Sequence, residues 1–152
     1  MMRRILFALA LLLLAPSAAL AAGQLVISAR FNSGGNEFDF GQYTENGGKD
    51  KVAIIGIEIR NQRTSVAFDP AEWHSFAALW QQAQSVRSAT WQAVGTYKET
   101  GTTEAALLTI SAGPGVQFTI TGNKGPFTFV LLPGDYVRFD AAVKQMASWA
   151  SP

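Results

Sequence analysis

Two carboxylates, a lone histidine and a scatter of cations near aromatic rings are the side chains in this 152-residue chain whose types could do chemistry. Asp39 and Glu58 fall on segments that read as neighbouring strands, and two carboxylates facing one groove are what glycoside hydrolysis requires. His74 follows Trp73 directly and has no second histidine or any cysteine to work with, so the common His/Cys zinc sites cannot be assembled within one chain. No serine elbow of the G-x-S-x-G kind, no G-x-x-x-x-G-K phosphate loop and no G-x-G-x-x-G fingerprint occurs. The glycine-rich pieces "GGNEFDF", "ENGGKD" and "SAGPG" lie between strands and read as hairpin turns, and "ENGGKD" lacks the acid spacing of a calcium loop. The inventory points away from an enzyme, a cofactor or a metal.

Binding needs less inventory, because sheets bind through surfaces. Arg60 and Arg63 flank one hairpin tip, Lys124 lies at the equivalent tip further on, and Trp91 and Tyr97 share one strand face by simple alternation. Arginine beside aromatic faces is the chemistry of stacking sites for bases or sugars, and these five residues are the candidate binding set.

The elements that must position them come in two similar sets. Setting "SVAFDPAEWHSFAALWQQA" against "TFVLLPGDYVRFDAAVKQM" at one constant offset brings Pro70 onto Pro133, Glu72 onto Asp135, Trp73 onto Tyr136, Phe76 onto Phe139 and Trp80 onto Val143. Carried backward without a gap, the offset places Ile55 and Ile57 on Phe118 and Ile120. That is the pattern of an internal duplication, with repeats over about residues 24–86 and 89–150. In both copies a strand runs into a proline, which presets φ for a first helical turn, and an acid complements the positive helix end. Asp69 can cap the first helix; its counterpart Leu132 cannot. Apolar positions 73, 76, 80 and 83, and again 136, 139, 143 and 146, form one buried stripe per helix. His74 lies off that stripe and its counterpart is Val137, so it reads as a helix-surface side chain.

Ahead of each helix, alternation and turn residues mark strands at "QLVISARF", "EFDFGQY", "VAIIGIEI" and "TSVAF", then "TWQAVGTY", "EAALLTI", "VQFTIT" and "FTFVLL". The unbroken apolar run of "VAIIGIEI" predicts a strand covered on both faces. Turns this short join antiparallel neighbours. The expectation is an α+β fold: a duplicated β-β-β-β-α unit giving two antiparallel four-stranded sheets, two amphipathic helices and a pseudo-twofold axis. The competing arrangement is a closed eight-stranded barrel, which the mid-chain helix fits poorly.

This element order, with the strand-to-helix passages "VAFDPAEWHSFAALW" and "VLLPGDYVRFDAAV", resembles the Whirly and PUR families of single-stranded nucleic-acid binders. The resemblance implies the fold, and, as an alternative function, single-stranded nucleic-acid binding.

The chain opens "MMRRILFALALLLLAPSAALAA": two arginines, an apolar run from Ile5 to Ala15, and small residues around Ala19-Leu20-Ala21. This reads as a secretory signal peptide cleaved after Ala21, the apolar run being shorter than the roughly 20 residues of a membrane span. Residues 22–152 are then a single domain, exported to the periplasm or secreted, without a membrane span and without disulfides. Losing Arg3 and Arg4 from 12 basic side chains leaves 10 against 11 acidic ones, a net −1 that does not favour a polyanion partner. With 48% hydrophobic and only 15% charged residues, the composition points to a folded chain. The functional expectation is a non-enzymatic exported module that binds a protein, a peptide or an envelope component. Nucleic-acid binding and a small carbohydrate-active enzyme using Glu58 are the alternatives.

Overall fold

A computed structural model describes residues 23–100, 105–122 and 124–151; the expected leader therefore lies outside the described residues. Four strands, β1 (Gly23–Ser33), β2 (Asn36–Glu45), β3 (Asp50–Ile59) and β4 (Gln62–Phe68), precede helix α1 (Pro70–Ser85). Four more follow, β5 (Gln92–Lys98), β6 (Leu107–Ala112), β7 (Val116–Gly122) and β8 (Gly125–Leu131), then a 3-10 turn (Pro133–Asp135) and helix α2 (Tyr136–Ala150). Each set of strands forms its own antiparallel sheet in chain order, β1-β2-β3-β4 and β5-β6-β7-β8. The fold is α+β, and two separate sheets replace the barrel alternative.

The hairpin turns follow from the residues that tolerate positive φ. Gly34 and Gly35 (59° and 81°) join β1 to β2, and Arg60 and Asn61 (51° and 62°) join β3 to β4. Positive φ at both central residues is what matches a two-residue turn to the twist of its strands. Asparagine takes that conformation readily; arginine takes it at a small cost.

Both sheets turn one face to a common core. Phe31, Phe38, Phe40, Ile55, Ile57, Val66 and Phe68 line it from the first sheet, Leu108, Ile110, Phe118, Ile120, Phe129 and Leu131 from the second, and all are fully or nearly fully buried. The helices fill the space between: Trp73, Phe76, Trp80 and Ala83 face inward from α1, and Phe139, Ala142, Val143 and Met146 from α2. Phe38 touches Phe118, Phe129 and Phe139 at centroid distances of 5.0, 5.4 and 5.4 Å, so one ring joins both sheets and a helix. Each such side chain contributes roughly 1.5–3 kcal/mol by leaving water. The helices are interlocked with the sheets: α1 packs on β5 and β6 as well as on β3 and β4, whereas α2 packs on β1, β2 and β3. The two helices also bond each other, the Trp73 indole donating to the Val143 carbonyl (3.3 Å) and the Trp80 indole to the Asp140 carboxylate (3.1 Å). His74 is exposed on α1.

Helix ends are tied individually. Asp69 accepts from the Glu72 amide (2.8 Å) while Glu72 accepts from the Asp69 amide (2.9 Å), a complete capping box. At the corresponding place Leu132 offers no side-chain bond, and the chain passes through the 3-10 turn instead. At the far end of α2, Lys51 of β3 donates to the carbonyls of Trp149 (2.7 Å) and Ser151 (3.3 Å), putting a cation at the negative helix terminus.

The two halves correspond unevenly. β4 and β8, at Gln62–Phe68 and Gly125–Leu131, are 63 residues apart at both ends, as are Pro70 and Pro133. Before β3 the gapless offset fails: β2 is Asn36–Glu45, but β6 is only Leu107–Ala112. Each first strand nonetheless carries a bulge, between Ile27 and Ala29 and between Ala93 and Gly95.

Candidate functional site

With the inner faces consumed by the core, chemistry is left to the outer faces, the hairpin tips and the strand edges. Strand register places four rows across the outer face of the first sheet. One row is Leu25, Tyr43 and Val52; the next is Ile27, Gly41, Ile54 and Ala67. Then come Arg30, Asp39, Gly56 and Ser65, and last Asn32, Glu37, Glu58 and Arg63. Of these four rows two are apolar and two ionic, and a further row of Gly23, Glu45 and Asp50 borders the apolar pair.

The ionic half is organised by one reach across a strand. Arg63 on β4 extends over β3 to Asp39 on β2, with its two terminal nitrogens on the two carboxylate oxygens at 2.5 and 2.6 Å. Gly56 makes the crossing possible: a β-carbon there would collide with the guanidinium. Asp39 is fully buried, yet its charge is matched by a bidentate partner, the arrangement that makes a buried carboxylate tolerable. Burial works to lower the Arg63 pKa, but the Asp39 bonds and the charges of Asp39, Glu58 and Glu37 outweigh it and hold the pKa above its ordinary value. Glu37 stands directly opposite Glu58, a like-charge pair relieved by Arg30 beside Glu37 (3.5 Å) and by Arg63 opposite Glu58.

The apolar half is a second hydrophobic cluster, separate from the main core: Tyr43, Val52, Ile54 and Ala67, with Leu25 packed on them. The Tyr43 hydroxyl donates to Glu45 (3.0 Å), and burial, ahead of that carboxylate, pushes its pKa up to about 12.

The outer face of the second sheet is different. Thr96, Thr109, Thr119 and Thr128 stand in register across all four strands, the last two hydroxyls bonded at 2.9 Å. Flanking rows hold Ala93, Ser111, Gln117 and Val130 on one side and Lys98, Leu107, Thr121 and Pro126 on the other, and none of these residues is acidic.

The five candidate binding residues are not brought together. Tyr97 is a core residue: its ring stacks on Phe68 at 4.1 Å and its hydroxyl donates to the Ala67 carbonyl at 3.0 Å. Trp91, 43% exposed, sits just before β5. The expected shared face fails because the bulge at Val94 inserts one residue between them and reverses the alternation. Arg63 is committed to Asp39, while Arg60 and Lys124 are exposed at the tips of their hairpins. Those tips lie at one end of the molecule, since Gly122 comes up against Thr64. Trp91 adjoins the opposite end of the second sheet, beside the Gln92–Ala112 pair, about 20 Å along the strands from Lys124.

Asp39 and Glu58 share a face, with both Asp39 oxygens bonded to Arg63. A half-buried carboxylate escaped the sequence reading: Glu99 accepts from the Ala106 amide (3.1 Å) at the base of the β5–β6 connection, and burial raises its pKa. Its signal was weak, an acid inside the turn-like "KETGT". Among the described residues no cluster of three His, Cys, Asp or Glu is placed to hold a metal, and no helix is long and apolar enough to cross a membrane. In comparisons with known proteins the chain matches no family model and no curated protein.

Proposed function

We propose that this chain is an exported, non-enzymatic binding protein, built by duplication of a β-β-β-β-α unit, that engages a partner through the outer face of its first sheet. Residues 1–21 act as the leader that takes it out of the cytoplasm, and the partner is a protein or peptide of the cell envelope that offers apolar side chains. The observation that carries this reading is the outward cluster of Tyr43, Val52, Ile54, Ala67 and Leu25, on the side of the sheet away from the core. Exposed apolar patches bordered by charge mark contact surfaces; on this face Leu25 and Ile27 are partly exposed, whereas Tyr43, Val52, Ile54 and Ala67 are buried. Duplication rests on the equal spacing of β4/β8 and Pro70/Pro133 and on the paired bulges. A pseudo-twofold axis relating the halves follows from it.

A photo-reactive side chain at Val52 of the processed protein, compared with one at Thr109 on the other outer face, tests the reading in the producing cell's envelope. A discrete adduct from Val52 alone is expected. Identical adducts from both positions, or none from either, sink it.

Single-stranded nucleic-acid binding is the second reading, favoured by the element order and by Arg60 and Lys124 lying at one end. Against it, Glu37, Asp39 and Glu58 outnumber Arg30 and Arg63 on the ionic half of the face. Titration with a labelled oligonucleotide at low salt decides it, since phosphate contacts produce steep salt dependence.

A further inference from the structure

Trp91 is the tryptophan that the core does not use. Trp73 and Trp80 are fully buried and Trp149 packs on the core, whereas Trp91 is 43% exposed and belongs to neither hydrophobic cluster. It precedes Gln92, which pairs with the inward-facing Ala112, so strand alternation turns its indole to the outer side of the second sheet. The turn from β6 to β7 lies against it. A β-carbon at Gly113 would meet the Thr90 carbonyl at 2.6 Å, and one at Gly115 the Leu131 carbonyl at 2.5 Å, so only glycine lets the turn sit this close to its neighbours.

The face that Trp91 borders is rich in hydroxyls and nearly free of charge. Ser111 and Gln117 occupy the nearest row, and Thr96, Thr109, Thr119 and Thr128 the next, all at least partly exposed. Across these rows and the one beyond, Lys98 alone is charged. Gly113 to Thr109 is four residues of chain, so the threonines lie about 13 Å from the Trp91 end at about 3.3 Å per residue. An aromatic ring and a neutral hydrogen-bonding floor thus share one surface the length of a short oligosaccharide.

That combination selects among partners. An apolar partner, lipid or protein, would strip water from the hydroxyls and the Gln117 amide without replacing their bonds. A polyanion needs cations for its charges, and Lys98 stands alone. An uncharged glycan matches both parts: the C–H face of a sugar ring stacks on an indole, and its rim of hydroxyls exchanges hydrogen bonds with threonine, serine and glutamine.

We propose that the outer face of the second sheet binds an uncharged glycan chain, with Trp91 as the stacking platform and Ser111, Gln117, Thr109 and Thr119 as the hydrogen-bonding floor. This goes beyond the protein partner assigned to the first sheet, and neither surface depends on the other. A polysaccharide captured by a photo-reactive group at Thr109 would migrate as a smear, distinct from the discrete adduct expected at Val52.

The test titrates the isotope-labelled protein, as recovered from the producing cell, with cellohexaose, maltohexaose, mannohexaose and chitohexaose in turn, and follows amide and indole resonances. At least one of them is expected to shift the Trp91 indole and the Thr109 and Thr119 amides while Tyr43 and Ile54 stay in place. Trp91→Ala should weaken that binding at least about tenfold, the scale of one lost stacking contact. Thr109→Val, which keeps the shape and removes a hydroxyl, should weaken it about threefold, and Ile27→Ala on the first sheet should leave it unchanged. Absence of shifts with all four sugars overturns the proposal, as do shifts confined to the first sheet. Tighter binding of a sulfated heparin hexasaccharide, or of phosphatidylglycerol vesicles, overturns it too, because charge or lipid would then be the match. Should Trp91→Ala disturb the circular dichroism spectrum, Thr109→Val decides, and an unchanged affinity there is a failure. The Val52 adduct experiment reads the other face, so either result can fail without the other.

Discussion

The two halves of the chain solve the same inner problem and different outer ones. Inward, each presents alternating aromatic and branched side chains above an apolar helix stripe, and the corresponding positions Ile55 and Phe118, Val66 and Phe129, Phe76 and Phe139 are all buried. Outward, the first sheet sets an apolar cluster beside an ionic row, whereas the second is lined by threonines. Packing constrains the inside to volume and apolarity, so two halves stay alike there. Nothing in the core dictates the outer rows, and a difference in role has room to appear in them.

The most severe way to break the comparison is to unbalance the ionic row. Arg63→Ala leaves Asp39 buried and unpaired, and urea unfolding is expected to show a loss of about 3–5 kcal/mol. At the corresponding depth of the second sheet, Thr119→Ala removes only a hydroxyl bond and should cost about 1 kcal/mol. Similar losses at both would mean that the outer faces do not differ in kind. The helix starts sharpen the contrast on a smaller scale. Asp69→Ala removes a capping box and should lower stability by about 0.5–2 kcal/mol, while Leu132→Ala, lacking any cap to lose, should stay within about 0.5 kcal/mol.

Titration gives the finest distinctions. Asp140 has its pKa lowered chiefly by Lys144 and also by Trp80 and Gln81, so its contribution is present above the unfolded value and is lost as pH falls through the folded one. Asp140→Asn should flatten the acid limb of the stability profile below about pH 4. Glu99 has the opposite sign. Burial raises its pKa, so its contribution is complete below the unfolded value and declines as pH rises through the folded one. Glu99→Gln should flatten the profile on the neutral side of about pH 4.5, and an unchanged slope there would show that its burial costs nothing.

The sequence made the framework legible wherever one residue's environment depends on near neighbours. Turn residues bounded the strands, the stripes at 73, 76, 80, 83 and 139, 143, 146 identified the buried helix faces, and Asp69 was readable as a cap. Of the run "VAIIGIEI", expected to be covered on both faces, Val52–Ile57 are buried and Glu58 and Ile59 partly exposed. What escaped was non-local or depended on a one-residue slip. The bulge at Val94 adds one residue to the alternation and so separates Trp91 from Tyr97, and no residue type near it announces that insertion. Asp39, Gly56 and Arg63 sit on three strands and acquire a common role only through register. Arg60, Lys124 and Trp91 were readable as exposed, but their separation is a property of the folded sheet.

The docking of α2 onto β1, β2 and β3 carries a consequence for how the molecule is made. The fifteen residues of α2 supply Phe139, Val143 and Met146 to a sheet whose last strand ends some seventy residues earlier in the sequence, and Lys51 of that sheet meets the carbonyls of Trp149 and Ser151. Until α2 docks, Phe31 and Phe38 lack their contacts with Phe139, while Phe40 and Phe68 already have Trp73 and Phe76 of α1 against them. Local completion of the first sheet is therefore not enough, and deleting α2 is expected to destabilise the first sheet as well as the second, since Phe139 touches both Phe38 and Phe118.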